Sequence, residues 1–168
     1  KLFSDRSEAS GTGYFDPSTS KYRRDILALA LRTDREIHLP KIISPAEFGG
    51  TTPSGVKIAP GAGDNAAAAL GIQAQPGDVV VSLGTSGTAF AVSDTPTHDS
   101  SGAVAGFADA TGRFLPLVCT LNAARILDAA TRILGKSHDE VGALALTAKP
   151  GANGLSLLPY FEGERTPN

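Results

Sequence analysis

Two glycine-rich stretches hold the residues best suited to chemistry. The first is Gly61-Ala62-Gly63-Asp64-Asn65, between the short apolar segment Val56 to Ala59 and the helix-forming run Ala66 to Leu70. Glycines let a backbone approach a ligand closely, and a helix start offers unpaired N–H groups. Asp64 would project from the end of a strand, where α/β sheets bind ligands. The plainer alternative is that Asp64 only caps the helix that follows. The second stretch is Leu83-Gly84-Thr85-Ser86-Gly87-Thr88, two glycines and three hydroxyls at the tip of a hairpin. Such a tip can form a backbone nest that suits phosphate oxygens, or it can be an ordinary glycine-rich turn. It lacks the Gly-Lys-Ser/Thr ending of a Walker A loop. Thr88 stands where a nucleophile elbow needs glycine.

Isolated groups carry less. Cys119 lies in an apolar segment and reads as a small core side chain. His38, His98 and His138 have no partner at metal-ligand spacing, so no metal site is expected. Glu162, Glu164 and Arg165 could form a structural ion pair or contact a ligand, and the sequence leaves both open.

The elements that must position the two loops follow from periodicity and turn residues. Ser4 to Gly13 is polar and glycine-rich, and Asp16 to Thr19 is turn chemistry. A helix is expected from about Lys21 to Arg32, with Ser20 as N-cap and Tyr22, Ile26 and Leu29 on its buried face. Ser44-Pro45-Ala46-Glu47 has capping-box spacing, but Gly49-Gly50 limits it to one turn. After the turn at Pro76-Gly77-Asp78, the apolar run Val79 to Leu83 suits a buried strand. Gly84 to Gly87 joins it to a second strand, Thr88 to Ser93. Phe114 to Cys119 reads as a third strand and Asn122 to Leu134 as an amphipathic helix stopped by Gly135. Ser137 with Glu140 caps another helix to about Ala148. Leu155 to Leu158 reads as a strand, and Pro159 to Asn168 as an irregular loop. The unit changes near Gly71 to Gly77.

Composition narrows the classes. The chain has 168 residues, 41% apolar and 19% charged, which is globular. Fifteen Lys+Arg against 17 Asp+Glu, with 6% aromatics, give no footprint for nucleic acid. The longest uncharged stretch, Val79 to Ser93, is short of a membrane span, so the chain reads as soluble and not membrane-bound. A single cysteine makes no internal disulfide, and a cytosolic setting fits. There is no methionine. Lys1-Leu2-Phe3 and Arg165-Thr166-Pro167-Asn168 both read as sequence cut in mid-flow, so a piece of a longer chain is expected.

Four segments in order resemble the FGGY family of carbohydrate kinases, most closely its xylulose-phosphorylating branch. They are Ser7 to Asp16, Gly61 to Ala67, Ser82 to Gly87, and Leu157 to Tyr160 with Gly163 to Pro167. The resemblance implies an α/β fold of two RNase H-like domains, as in actin and hexokinase, with sugar and ATP bound between them. Residues 1–74 would be the C-terminal part of the first, sugar-binding domain. Residues 75–168 would be the N-terminal part of the second, nucleotide-binding domain. By resemblance Asp64 is the catalytic base and a substrate contact, and Asn65 is its neighbour in the sugar site. Gly84, Thr85, Ser86 and Gly87 face the nucleotide phosphates. The implied reaction moves the γ-phosphoryl group of ATP, with Mg²⁺, to the 5-hydroxyl of D-xylulose. The resemblance is compatible with a homodimer. Other sugar or polyol kinases of the family, for ribulose, gluconate or glycerol, share the phosphate loop. A non-catalytic ATP-binding protein of the same fold would not need Asp64.

The sequence departs from the family pattern in places. The family's Asp-x-Gly-Thr loop, which helps hold Mg²⁺, and its late adenosine-binding segment have no counterpart here. Glu8 stands where asparagine is usual, and Ala129 where some relatives place a tryptophan near the nucleotide.

Overall fold

The computed structural model describes residues 2–161 and 163–166 and divides into two units. The first is Lys1–Val80 with Phe90–Leu117, and the second is Val81–Ala89 with Val118–Asn168. The stretch from Gly71 to Gly77 lies inside the first unit, where the Gly77 N–H donates to Val92 O at 2.9 Å. Compactness therefore divides the chain differently from its turn punctuation.

Strand β1 (Phe3–Asp5) runs directly into helix α1 (Arg6–Ser10). The polar reading of Ser4 to Gly13 misses both elements. Asp5 starts the helix: its carboxylate accepts the Ser7 and Glu8 N–H groups at 2.9 and 3.1 Å, as an N-cap does. Arg6 is 8% exposed, bonded through Nη2 to Pro17 O and through Nε to Ser20 Oγ, each at 2.9 Å. Burial lowers its pKa, and Asp109 acts in the opposite sense.

β2 (Phe15–Asp16) and β3 (Lys21–Tyr22) form a hairpin, which delays the next helix, α2 (Arg24–Leu31). Ser20 is not its cap, since it sits at φ 54° and accepts from Arg6, while Arg23 precedes the helix with no capping side chain. With Tyr22 packed on Phe15 in the hairpin, the expected apolar series loses its first member. Leu27 is then the buried residue, and Leu29 is 79% exposed.

β4 (Lys41–Ile43) returns parallel to β1, pairing Phe3 with Lys41 and Asp5 with Ile43. The single turn at Ser44 to Glu47 forms as read. β5 (Gly50–Thr51) and β6 (Lys57–Ile58) make an exposed hairpin before α3 (Asp64–Gly71), which buries Ala66 and Ala69. Four strands follow, β7 (Val79–Leu83), β8 (Gly87–Ala91), β9 (Ala105–Ala108) and β10 (Phe114–Thr120), in the order β7-β8-β10-β9. β9 is an addition to the sequence reading. It pairs antiparallel with β10, and Ala108, Leu115 and Leu117 are buried. Ser10 Oγ accepts the Ala108 N–H at 3.0 Å, tying α1 to β9.

In the second unit, α4 (Arg125–Leu134) ends at Gly135 in the left-handed conformation, and α5 (His138–Leu146) carries the expected capping box between Ser137 and Glu140. The run from Val79 to Leu83 is a strand but not a buried one: Val79 is 68% exposed and Leu83 74%. The described residues supply no layer over it. Leu155 to Leu158 is likewise exposed and forms no strand. Among the described residues, every buried apolar side chain belongs to the first unit.

Candidate active site

Asp64 is the first residue of α3, not its cap. Gly63 occupies the N-cap position with extended backbone and no capping side chain, and Asp64 Oδ1 accepts the neighbouring Asn65 N–H at 2.8 Å. The cap-only alternative therefore fails, and the Asp64 carboxylate remains exposed beside the positive end of a helix. The loop is held from below. Ser7 Oγ accepts the Gly63 N–H at 2.9 Å, and the same hydroxyl donates to buried Asp5 Oδ1. A Cβ at position 61 would lie 3.1 Å from Asp5 Oδ2, so glycine lets the loop lie this close to the carboxylate.

Ser7, Glu8, Gly63, Asp64, Asn65 and Phe107 line a cleft of about 100 Å³. Asp64 and Asn65 both line this cleft, and Glu8 is a second carboxylate there. Asp5 and Ser7, which anchor the loop, escape the sequence reading, although the Asp5-x-Ser7-Glu8 spacing is that of a side chain turning onto its own backbone.

The Gly84–Gly87 loop closes with the Gly84 N–H donating to Ser86 O at 3.0 Å. Its carbonyls also serve the start of α4, which has no side-chain cap. Thr85 O accepts the Ala123 N–H at 3.3 Å, and Gly84 O accepts the Ala124 N–H at 2.9 Å. Gly87 is buried, and a Cβ there would lie 2.9 Å from Thr120 Oγ1 and 3.1 Å from Ala123 Cβ. Thr85 lines a second cleft, of about 430 Å³, with Asn122, Arg125, Asp128 and Arg132. Two guanidinium residues beside a loop rich in N–H and O–H groups favour an anion. Asp128 is itself paired with His138 Nε2 at 2.8 Å.

Glu162 lies outside the described residues. Glu164 and the backbone of Arg165 are bonded to the chain itself, as described below. Cys119 is a half-buried free thiol. Among the described residues, no three His, Cys, Asp or Glu side chains gather to hold a metal ion, and no helix is long and apolar enough to cross a membrane.

No family model matches the chain. Individual proteins do. It is 44% identical over 172 residues to a xylulose kinase of Streptomyces coelicolor, covering 98% of this chain and 34% of that protein. A xylulose kinase of Escherichia coli is 32% identical over 98% of the chain and 36% of its own length. The chain thus spans about a third of the curated relatives it matches. Among solved structures, a xylulose kinase from Bifidobacterium adolescentis superposes with a TM-score of 0.88 at 48% identity, over 99% of this chain and 37% of that one. A gluconate kinase from Lactobacillus acidophilus gives 0.83 at 27% identity, over 98% and 36%. The actin- and hexokinase-like α/β fold is shared with these proteins. Sequence and fold together, over nearly all of its residues, make this chain a member of the FGGY family of carbohydrate kinases, similar to about a third of a xylulose kinase.

Proposed function

We propose that this chain takes part in the ATP-dependent phosphorylation of D-xylulose at its 5-hydroxyl, giving D-xylulose 5-phosphate and ADP. The 44% identity to the Streptomyces coelicolor xylulose kinase across 98% of the chain carries the reading. In it, residues 1–74 belong to the sugar-binding domain and residues 75–168 to the nucleotide-binding domain. Asp64 orients the hydroxyl and accepts its proton, and Asn65 binds the sugar beside it. Gly84, Thr85, Ser86 and Gly87 face the ATP phosphates. Phosphoryl transfer has a loose transition state, so alignment and charge neutralisation do most of the work. Mg²⁺ would arrive with the nucleotide, a mode that asks only one or two carboxylates of a protein. A cytosolic setting, with sugar and ATP as the small-molecule partners, goes with this reading.

The likeness to a gluconate kinase favours a second acceptor, gluconate, at the same site. A panel of sugars with the full-length protein separates the two. Asp64→Asn tests the role of the carboxylate. Asn keeps its shape but cannot take the proton, so kcat falls by about 10²–10⁴ while the melting temperature stays near wild type. A variant that melts early yet turns over normally when folded would remove Asp64 from the mechanism.

A further inference from the structure

Two segments distant in sequence, 121–122 and 163–165, meet at one carboxylate. Glu164 Oε1 accepts the Leu121 N–H and, at 2.7 Å, the Arg165 N–H, while Oε2 accepts from Asn122 Nδ2 at 3.0 Å. The same Asn122 amide group donates to Gly163 O at 2.8 Å. The next two residues, Ala123 and Ala124, give their N–H groups to Thr85 O and Gly84 O, and Gly87 packs on Thr120 and Ala123. Glu164 has no hydrogen bond to the 84–87 loop itself. It fixes the segment on which that loop rests.

The carboxylate is well suited to this. Desolvation pushes its pKa up, but the hydrogen bonds from Arg165, Leu121 and Asn122 outweigh that and bring it down to about 2. It is charged at neutral pH and has its acceptor sites committed. An ion-pair role would direct the Arg165 guanidinium at Glu164, whereas the contact seen is to the Arg165 backbone.

We infer that Glu164 is a positioning residue for phosphoryl transfer: by holding Leu121 and Asn122 it sets where Gly84–Gly87 stands to receive the nucleotide phosphates. The inference rests on the kinase reading above and deepens it, because it assigns a motif that reading leaves without a role.

The test uses the full-length enzyme. Glu164→Ala should lower kcat/KM for ATP about 10²-fold, the cost of a displacement near 1 Å, with KM for the sugar unchanged. Glu164→Gln, which keeps one acceptor oxygen, should fall between the two; if the alanine variant does not fold, the glutamine variant carries the same split. A rise in KM for the sugar as large as that for ATP, or a lower melting temperature with normal ATP kinetics in the folded fraction, would reduce Glu164 to a structural tie and overturn the inference. Hydrogen exchange supplies a readout free of activity. Amides of 84–87 and 121–124 should exchange faster in the variants while those of 61–65 do not change, and unaltered exchange at 84–87 would equally overturn it. If the wild-type enzyme phosphorylates no sugar, the kinase reading falls, while exchange still decides whether Glu164 holds the loop.

Discussion

Each glycine-rich loop is tied down through one carboxylate, but the two carboxylates work in different surroundings. Asp5 is 6% exposed, inside a unit whose strands and helices bury Phe15, Ile43, Phe90, Ala108 and Leu115. Glu164 belongs to a unit in which no described apolar residue is buried. The chemical device is the same, a carboxylate accepting backbone N–H groups near the loop. Its energetic context is not. Asp5 shares its loop support with a packed core, so loosening it should cost global stability. Glu164 stands on hydrogen bonds with little packing behind them, so loosening it should register in the loop.

The sharpest way to break this contrast is to remove equal volumes from the two units. Leu115, 1% exposed, should cost about 2–5 kcal/mol on Leu115→Ala. Leu127, 55% exposed, should stay within about 0.5 kcal/mol on Leu127→Ala. Urea unfolding of the chain measures both. A cost for Leu127 as large as for Leu115 would mean that α4 is covered in solution.

Smaller, but aimed at the tether itself, is Asp5→Ala. It strands the buried Ser7 N–H and the part-buried Glu8 N–H and frees the hydroxyl that receives Gly63, a loss of about 1–3 kcal/mol, chiefly for the buried donor left unpaired. Asp5→Asn should recover much of it, since Asn and Asp cap about equally well. The unfolding midpoint reads the stability, and amide exchange at 61–65 reads the loop. Stability lost without faster exchange in the loop would separate Asp5 from the site.

The smallest effect is one of pH. A glutamate held at about 2, below its ordinary 4.5, contributes fully above 4.5, and that contribution declines through this range as acid is added. The amide NMR shifts of Leu121 and Arg165 should therefore stay level from neutral pH to about pH 4 and then move with a midpoint near 2. A midpoint near 4.5 would mean that the carboxylate is not held.

Local pattern made much of this legible. The capping box at Ser137 and Glu140, the stop at Gly135, the two loops and the strands flanking the second loop all carry their signal within a few residues. Other features lie outside such signals. The buried face of α2 departs from the local periodicity because a hairpin takes Tyr22 out of the helix. Helix α1 hid in a polar stretch because Asp5, its cap, follows a strand with no turn residue to separate them. The Glu164 contacts were beyond reach for a different reason: Leu121 and Asn122 lie 43 and 42 residues away, and no local periodicity encodes that pairing. The apolar run Val79 to Leu83 is a strand, as its pattern predicts, but burial depends on what covers it, which a run of valines does not state.

The lengths of the two tethers also order events in time. The Gly63 N–H reaches back 56 residues to Ser7, so both partners exist once residue 63 has been made. The Leu121 N–H must wait for a residue 43 positions ahead of it. At about 5–20 residues per second of synthesis, Glu164 follows Gly63 by about 100 residues, or roughly 5–20 s. During that interval the Asp64 loop already has its anchor on the growing chain, and the Gly84 loop does not.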